Sequence, residues 1–393
     1  MSRARVIVLG MMGRTPFAGV GWQVLHYLEA FRRAGCDVFY VEDTGSWPYD
    51  PQQNIVTDDP TYTVGYIGRL LDWLGLGDRW AYVGPDGSVF GLSRAELERA
   101  VESADALVNL TGATLLRDEH LTVPVRMYVE TDPVAPQIEV ALERPFTIEL
   151  LEAHTHHFSF GENLGQPDCG IPVGRFDYRP TRQPIVLDWW SPQSRATSAN
   201  GRFTTVSSWL QRGKDVDWQG ETYLWSKHHE FLKVADLPER SARPLELALS
   251  HGEAEPGEYQ EVVRMLKRRG WRIVDAIELS VNAFSYRDYI VGSRGEFTVA
   301  KDQYVRLRSG WFSDRSASYL AAGRPVVTQE TGFSKFLPTG EGLFAFETAD
   351  EALAAMDEID SDYERHSRAA RDLAADCFDA RKLAAAMLEE AGV

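Results

Sequence analysis

Short apolar runs alternate with stretches of helical periodicity along this chain. Residues 5–9 form an apolar run of strand length. Residues 21–34 follow with Val24, Leu25, Leu28 and Phe31 on one side, and Gly35 closes the turn. Residues 37–42 read as a second strand, so the chain opens as a β-α-β unit and predicts a parallel sheet. Ser93, with Glu96 three residues later, makes a capping box for a helix over 93–103. Residues 106–110, 125–130 and 156–160 are further strands. Between 165 and 181 the periodicity fades and Gly and Pro accumulate, which places a linker there. The pattern then restarts. Strands are expected at 185–190, 203–207, 245–250 and 271–275, an amphipathic helix over 258–269, and a short helix or strand over 286–291 that ends in the polar loop Gly292-Ser-Arg-Gly-Glu296. From residue 349 onward Ala, Leu, Glu and Arg dominate, so the tail is helical.

These elements predict an α/β protein of two Rossmann-like domains facing across a cleft. The first covers residues 1–175 and the second 176–375. A last helix is expected within 376–393. At 393 residues two domains are expected, and 44% hydrophobic content supplies their cores. The net charge of −17 argues against nucleic acid or an anionic membrane as partner, but a local basic pocket still suits a small anion. Cys36, Cys169 and Cys377 are too dispersed for a metal or disulfide framework. With no signal peptide or transmembrane run in view, a cytoplasmic setting is expected. Nothing in the sequence speaks to oligomeric state.

In open α/β sheets ligands bind just past the carboxyl ends of strands. Asn109, Thr111, Glu130 and Asp132 occupy such places. Asp132 is the first candidate for a base or acceptor-orienting group, and His156 is the next. His154, His156 and His157 lack the further ligands a metal needs, so neither a metal nor a cofactor is expected. The glycines between residues 10 and 21, Gly13 and Gly19 among them, are too spread for a dinucleotide turn. In the second half Lys227, Arg294, Lys301 and Arg315 are candidate anion contacts. Trp189, Trp190, Trp209, Trp218 and Trp225 read mostly as core.

Residues 309–332 carry the sharpest signal. Asp314, Arg315 and Ser316 stand at an expected helix start, where free N–H groups favour a diphosphate. Ala317, Leu320 and Ala321 allow close packing, Gly323 ends the helix, and Pro325-Val326-Val327 restarts the chain as a strand. This order resembles the donor-binding segment of GT-B nucleotide-sugar glycosyltransferases. Many retaining members carry two glutamates before that Gly. Here the second position is Ser318 and the first falls near Gly310, so Asp314 and Ser318, four apart on one helix face, are the replacements considered. The resemblance implies a metal-independent transferase whose nucleotide-sugar donor is bound by Lys227, Arg294, Asp314, Arg315, Ser316 and Ser318. Its acceptor, a small molecule, lipid or glycan, would meet Gly13, Gly19, Thr111 and Glu130; the resemblance also implies that the loop over residues 10–21 faces the cleft and that the last helix packs back on the first domain. A nucleotide-sugar epimerase of the same fold, or a non-catalytic nucleotide-sugar binder, are the alternatives.

Overall fold

The computed structural model describes residues 3–191 and 201–393. Its first sheet contains eight strands: β1 (Arg5–Leu9), β2 (Asp37–Glu42), β3 (Trp80–Val83), β4 (Val89–Gly91), β5 (Ala106–Leu110), β6 (Val125–Glu130), β7 (His156–Ser159) and β8 (Tyr178–Pro180), in the order β8-β7-β6-β5-β1-β2-β3-β4. Every neighbouring pair is parallel except the β3–β4 hairpin at the edge. The second sheet has six parallel strands: β9 (Phe203–Leu210), β10 (Leu245–Gly252), β11 (Arg272–Asp275), β12 (Gly295–Thr298), β13 (Val326–Gln329) and β14 (Leu343–Phe346), in the order β11-β10-β9-β12-β13-β14. Whereas β7 and β8 are joined by an irregular segment over residues 160–177, helices lie in most of the connections between parallel strands. That cover leaves the central strands buried on both faces. Val6, Ile7, Val8 and Leu9 of β1 are all fully buried, and hence read as an unbroken apolar run rather than an alternating one.

Local chemistry explains several boundaries. The Ser93–Glu96 capping box is formed and starts the helix Arg94–Glu102. Asn282 accepts from the Phe284 and Ser285 N–H groups, which starts helix α2 (Ala283–Gly292) and decides for helix where periodicity allows either helix or strand. The first long helix, α1 (Ala18–Arg33), begins three residues earlier than expected. Residues 185–190 are not a strand: Leu187–Trp190 is a turn of 3-10 helix. The first sheet runs on to Pro180, because β8 pairs with β7, so the chain crosses to the second sheet between Pro180 and Phe203 rather than within 165–181.

The two halves are tied together. The helix Ala380–Ala391 packs on α1. Trp22 Nε1 donates to Ala283 O at 2.8 Å, and its ring meets Trp73, Trp189, Trp190 and Phe284 within 6.1 Å between centroids. Trp311 Nε1 donates to Thr131 O at 2.9 Å. The aromatic side chains therefore weld the sheets on one side, and a cleft remains between their carboxyl ends.

A candidate active site between the two sheets

Both sheets reverse their strand order next to a central strand. In the first, the chain leaves β1 towards β2 and returns to β5 on the other side; in the second it leaves β9 towards β10 and returns to β12. The loops after such strands diverge and open a crevice. The loop after β1 is pinned from below. Gly13 N donates to Glu42 Oε2 at 2.7 Å, Arg14 N to Glu42 Oε1 at 2.5 Å, and the Tyr40 hydroxyl to Glu42 Oε2 at 2.6 Å. Burial pushes the Glu42 carboxyl up to about 7, with those hydrogen bonds pulling the other way. After β5, Thr111 adopts the left-handed region at φ 60°. After β6, Val134 does so at φ 100°, rare for a β-branched residue, and its N–H is held by Gln137 Oε1 at 2.8 Å.

Asp132, between these points, joins the two domains. Its Oδ1 accepts from Lys301 Nζ at 2.6 Å and from the Tyr304 hydroxyl. Partial burial raises the Asp132 carboxyl, but Lys301 and Tyr304 outweigh it and hold the group below the usual carboxylate range. The Lys301 ammonium lies 3.0 Å from the Trp225 ring centroid. Burial lowers Lys301 to about 8 even against the attraction of Asp132. Lys227 stands nearby, 5.3 Å from the Trp311 ring centroid. Burial, then the positive charges of Arg315 and Lys301, lower it to about 7. Lys214 also acts on Asp132 and Lys301. Three lysines of the second domain therefore act on one carboxylate of the first, with Arg315 beside Lys227.

Two cavities meet at Thr111, Thr131 and Asp132. The larger, about 510 Å³, runs from Arg14, Lys214 and Trp225 to Phe146 and Leu150. The smaller, about 380 Å³, lies between Gly19 and Gln23 of α1 and Asp314, Arg315 and Ser318 of helix α3 (Asp314–Ala321). Both are of ligand size. Among the described residues no group of three or more His, Cys, Asp or Glu side chains is arranged to hold a metal ion. Also among them, no helix is long and apolar enough to cross a membrane.

This architecture matches solved structures over nearly the whole chain. HepE of Anabaena, crystallised with UDP-glucose, aligns with a TM-score of 0.58 at 12% identity, covering 98% of this chain and 99% of that one. An alpha-glucosyltransferase in complex with UDP and DNA aligns at 0.61 with 10% identity over 100% of both chains. Sucrose-phosphate synthase from Thermosynechococcus elongatus aligns at 0.55 with 14% identity over 99% of this chain and 98% of that one. The chain has the GT-B fold. No protein-family model matches it. No curated protein matches its sequence.

Within the GT-B cleft the expected residues divide. Asp132, Thr111 and Glu130 line the larger cavity, and Gly19, Asp314, Arg315 and Ser318 the smaller, which Thr111 and Asp132 share. Gly19 is open ground: an added Cβ would meet only the Tyr286 hydroxyl, at 4.0 Å. Gly13 instead answers a packing need, because a Cβ there would come within 2.6 Å of both Ile67 and Thr63 and it lines neither cavity. Arg315 is committed to its own sheet. Its guanidinium donates to Glu296 Oε1 at 2.6 Å, to Val206 O at 2.7 Å and to Thr298 Oγ1 at 2.9 Å. Ser316, on the buried side of the same helix, lines neither cavity.

Two expectations are corrected by strand direction. Arg294 precedes β12 rather than following a strand, so it sits at the amino edge, where its Nε donates to Asp360 Oδ1 at 2.6 Å and its guanidinium lies 4.2 Å from the Tyr363 ring centroid. His156 opens β7 and likewise faces the amino edge; its Nδ1 lies 2.9 Å from Thr155 Oγ1, and it touches neither cavity. Tyr304 and Lys214 escape a reading of the sequence. Lys301 is visible there as a cation but has no place. Its signal is the strand end three residues before it, hidden because Gly295–Thr298 contains Glu296 and does not read as apolar.

Proposed function

We propose that the chain is a glycosyltransferase that moves a sugar from a nucleotide-sugar donor to a hydroxyl-bearing acceptor. The observation that carries this reading is the gathering of Lys214, Lys227 and Lys301 around Asp132, with Arg315 beside Lys227, at the switch points of a GT-B fold. In the reaction a bond forms from the acceptor oxygen to the sugar's anomeric carbon. The bond from that carbon to the diphosphate oxygen breaks, the nucleoside diphosphate departs with the added charge, and the proton of the acceptor hydroxyl passes to the freed phosphate oxygen or to solvent. Fixed cations in a partly dry cleft favour that charge most where it develops, so side chains of the protein supply the stabilisation. Lys227 and Lys301 pair with the diphosphate. The amino end of helix α3 and Arg315 add positive potential from behind, and Asp314 and Ser318 are assigned to the ribose. Asp132, pinned by Lys301 and Tyr304 and held at a low pKa, is suited to orienting the acceptor hydroxyl more than to taking its proton.

That HepE was crystallised with UDP-glucose, and a second neighbour with UDP, supports this kind of donor. The second neighbour also carries DNA, but the net charge of −17 disfavours such an acceptor here. Free Cys36, Cys169 and Cys377 suit a reducing, cytoplasmic setting. Calorimetric titration with a panel of nucleoside diphosphates tests the reading. One of them is expected to bind, and the sugar nucleotide of that base to be consumed when an acceptor is supplied. No binding by any nucleoside diphosphate refutes it.

A further inference from the structure

The larger cavity has two ends of opposite character. Towards the second domain it is charged, with Lys214 and Asp215 beside Trp225. Towards the first domain its wall is built from Ala113, Leu115, Ala135, Pro136, Phe146 and Leu150. Leu115 and Phe146 remain 52% and 64% exposed although they are large and apolar. Among the described residues nothing covers them, and they sit at the mouth of a cavity that continues to Asp132. An isolated exposed apolar residue needs no explanation, but two that line one cavity beside a candidate reaction centre do.

We propose, resting on the transferase reading, that the acceptor is an uncharged small alcohol with an apolar ring body, seated on Leu115, Phe146 and Leu150 with its hydroxyl at Asp132.

The chemistry of the wall selects this class. One oxygen of the Glu139 carboxylate accepts from the Thr147 hydroxyl. Glu130, at the base, accepts from Gln137 Nε2 at 2.9 and 2.7 Å and from Ser159 Oγ at 2.6 Å, so its hydrogen-bonding capacity is turned inward. Burial also raises it to about 8, which leaves it mostly protonated at neutral pH. A polyol or oligosaccharide laid on Leu115, Phe146 and Leu150 would lose water from the hydroxyls that face those side chains without gaining a partner there. An anionic acceptor would approach Glu130, Asp132, Glu139 and Asp215, against only Arg14 and Lys214 among the cavity's cations. An apolar ring loses nothing at the wall and gains contact with Phe146 and Leu150. A volume of about 510 Å³, shared with part of the donor, fits one or two fused rings better than a long chain.

The test uses the full chain with UDP-glucose and matched acceptors: 2-naphthol and 4-methylumbelliferone against glucose, maltotriose and glycerol. Binding to the UDP-loaded protein is read by calorimetry and glucoside formation by mass spectrometry. The ring alcohols are expected to bind and to be glucosylated, the polyols not. Leu115→Ser and Phe146→Ser alter exposed side chains and spare the core. Each is expected to raise the Kd for 2-naphthol about tenfold, the scale of partial loss of one apolar contact, with the Kd for UDP unchanged. Preferred transfer to maltotriose or glycerol overturns the proposal. So does preferred transfer to a polyprenol in vesicles, or a 2-naphthol affinity indifferent to both substitutions. Should no nucleoside diphosphate bind, the donor reading falls by itself, and 2-naphthol titrated into the free protein still decides whether the wall holds such a ring.

Discussion

Raising the pH is expected to weaken the hold of the cleft on a sugar nucleotide, because Lys227 must be charged to pair with the diphosphate and in the free protein it loses its proton near neutrality. Burial and the adjacent Arg315 and Lys301 lower it from 10.5 to about 7. A bound diphosphate reverses both effects of those neighbours by neutralising them, and returns Lys227 towards its ordinary range. Between these limits the free protein is mostly charged at about pH 6 and mostly neutral at about pH 8, so proton uptake is coupled to binding. The dissociation constant then rises about tenfold from pH 6 to 8, equivalent to about 1.4 kcal/mol, and about tenfold again by pH 9. Lys301, at about 8, steepens the upper part of the curve.

UDP-glucose is the right probe, since it has no terminal phosphate proton to lose over this range. Calorimetry in two buffers of different ionisation enthalpy measures the uptake directly: about half a proton for Lys227 at pH 7, approaching one at pH 8. Lys227→Met is expected to flatten the lower part of the profile and to weaken binding at pH 6.5 by about 1.5–3 kcal/mol, the range for a hydrogen bond to a charged group. Unfolding does not mimic this. A lysine whose folded pKa lies below its unfolded one binds fewer protons in the folded state, so the Lys227 contribution to stability increases from about pH 7 upward. A dissociation constant that stays within twofold from about pH 6 to 9, with a buffer-independent enthalpy, refutes the assignment of Lys227 to the diphosphate and the pKa argument behind it.

Arg315→Ala leaves Glu296, whose side chain is 0% exposed, without its charge partner. The second domain is expected to lose about 3–5 kcal/mol, seen as a lower midpoint of thermal unfolding, and Glu296→Gln in the same chain is expected to restore part of it; an unchanged midpoint contradicts the structural role given to Arg315. Asp132→Asn keeps the shape of the side chain but removes the charge that draws Lys301 across the cleft. Sugar transfer is expected to fall at least about a hundredfold with UDP-glucose affinity changed only a few-fold, whereas turnover near that of the unaltered chain removes Asp132 from the reaction.

The alternation of apolar runs and helical stretches is enough to show that this chain folds into parallel sheets. It also locates β1, β2, β5 and β6 and the start of helix α3, because each rests on local terms: backbone periodicity, a capping side chain, a glycine where a turn must close. Since strand direction follows chain direction, the amino-acid order alone puts Thr111 and Asp132 at the carboxyl edge. The second domain is less legible. β12 is four residues, Gly-Glu-Phe-Thr, and the burial of Glu296 within it is tolerable only because Arg315, 19 residues later, reaches it from α3. Without that long-range pair the segment reads as polar loop, and Arg294 falls at the wrong end of a strand. The same misreading leaves Lys301 without a position, though it is the residue that bridges the domains at Asp132. The cavity itself has no local signature. Phe146 and Leu150 share the helix Pro145–Glu152, but Leu115 comes from the loop after β5, and Lys214 and Trp225 come from the other domain. Only the packing of one sheet against the other brings apolar wall, carboxylate and cations within reach of one ligand, since such contacts depend on strand order and domain docking rather than on neighbours in the chain.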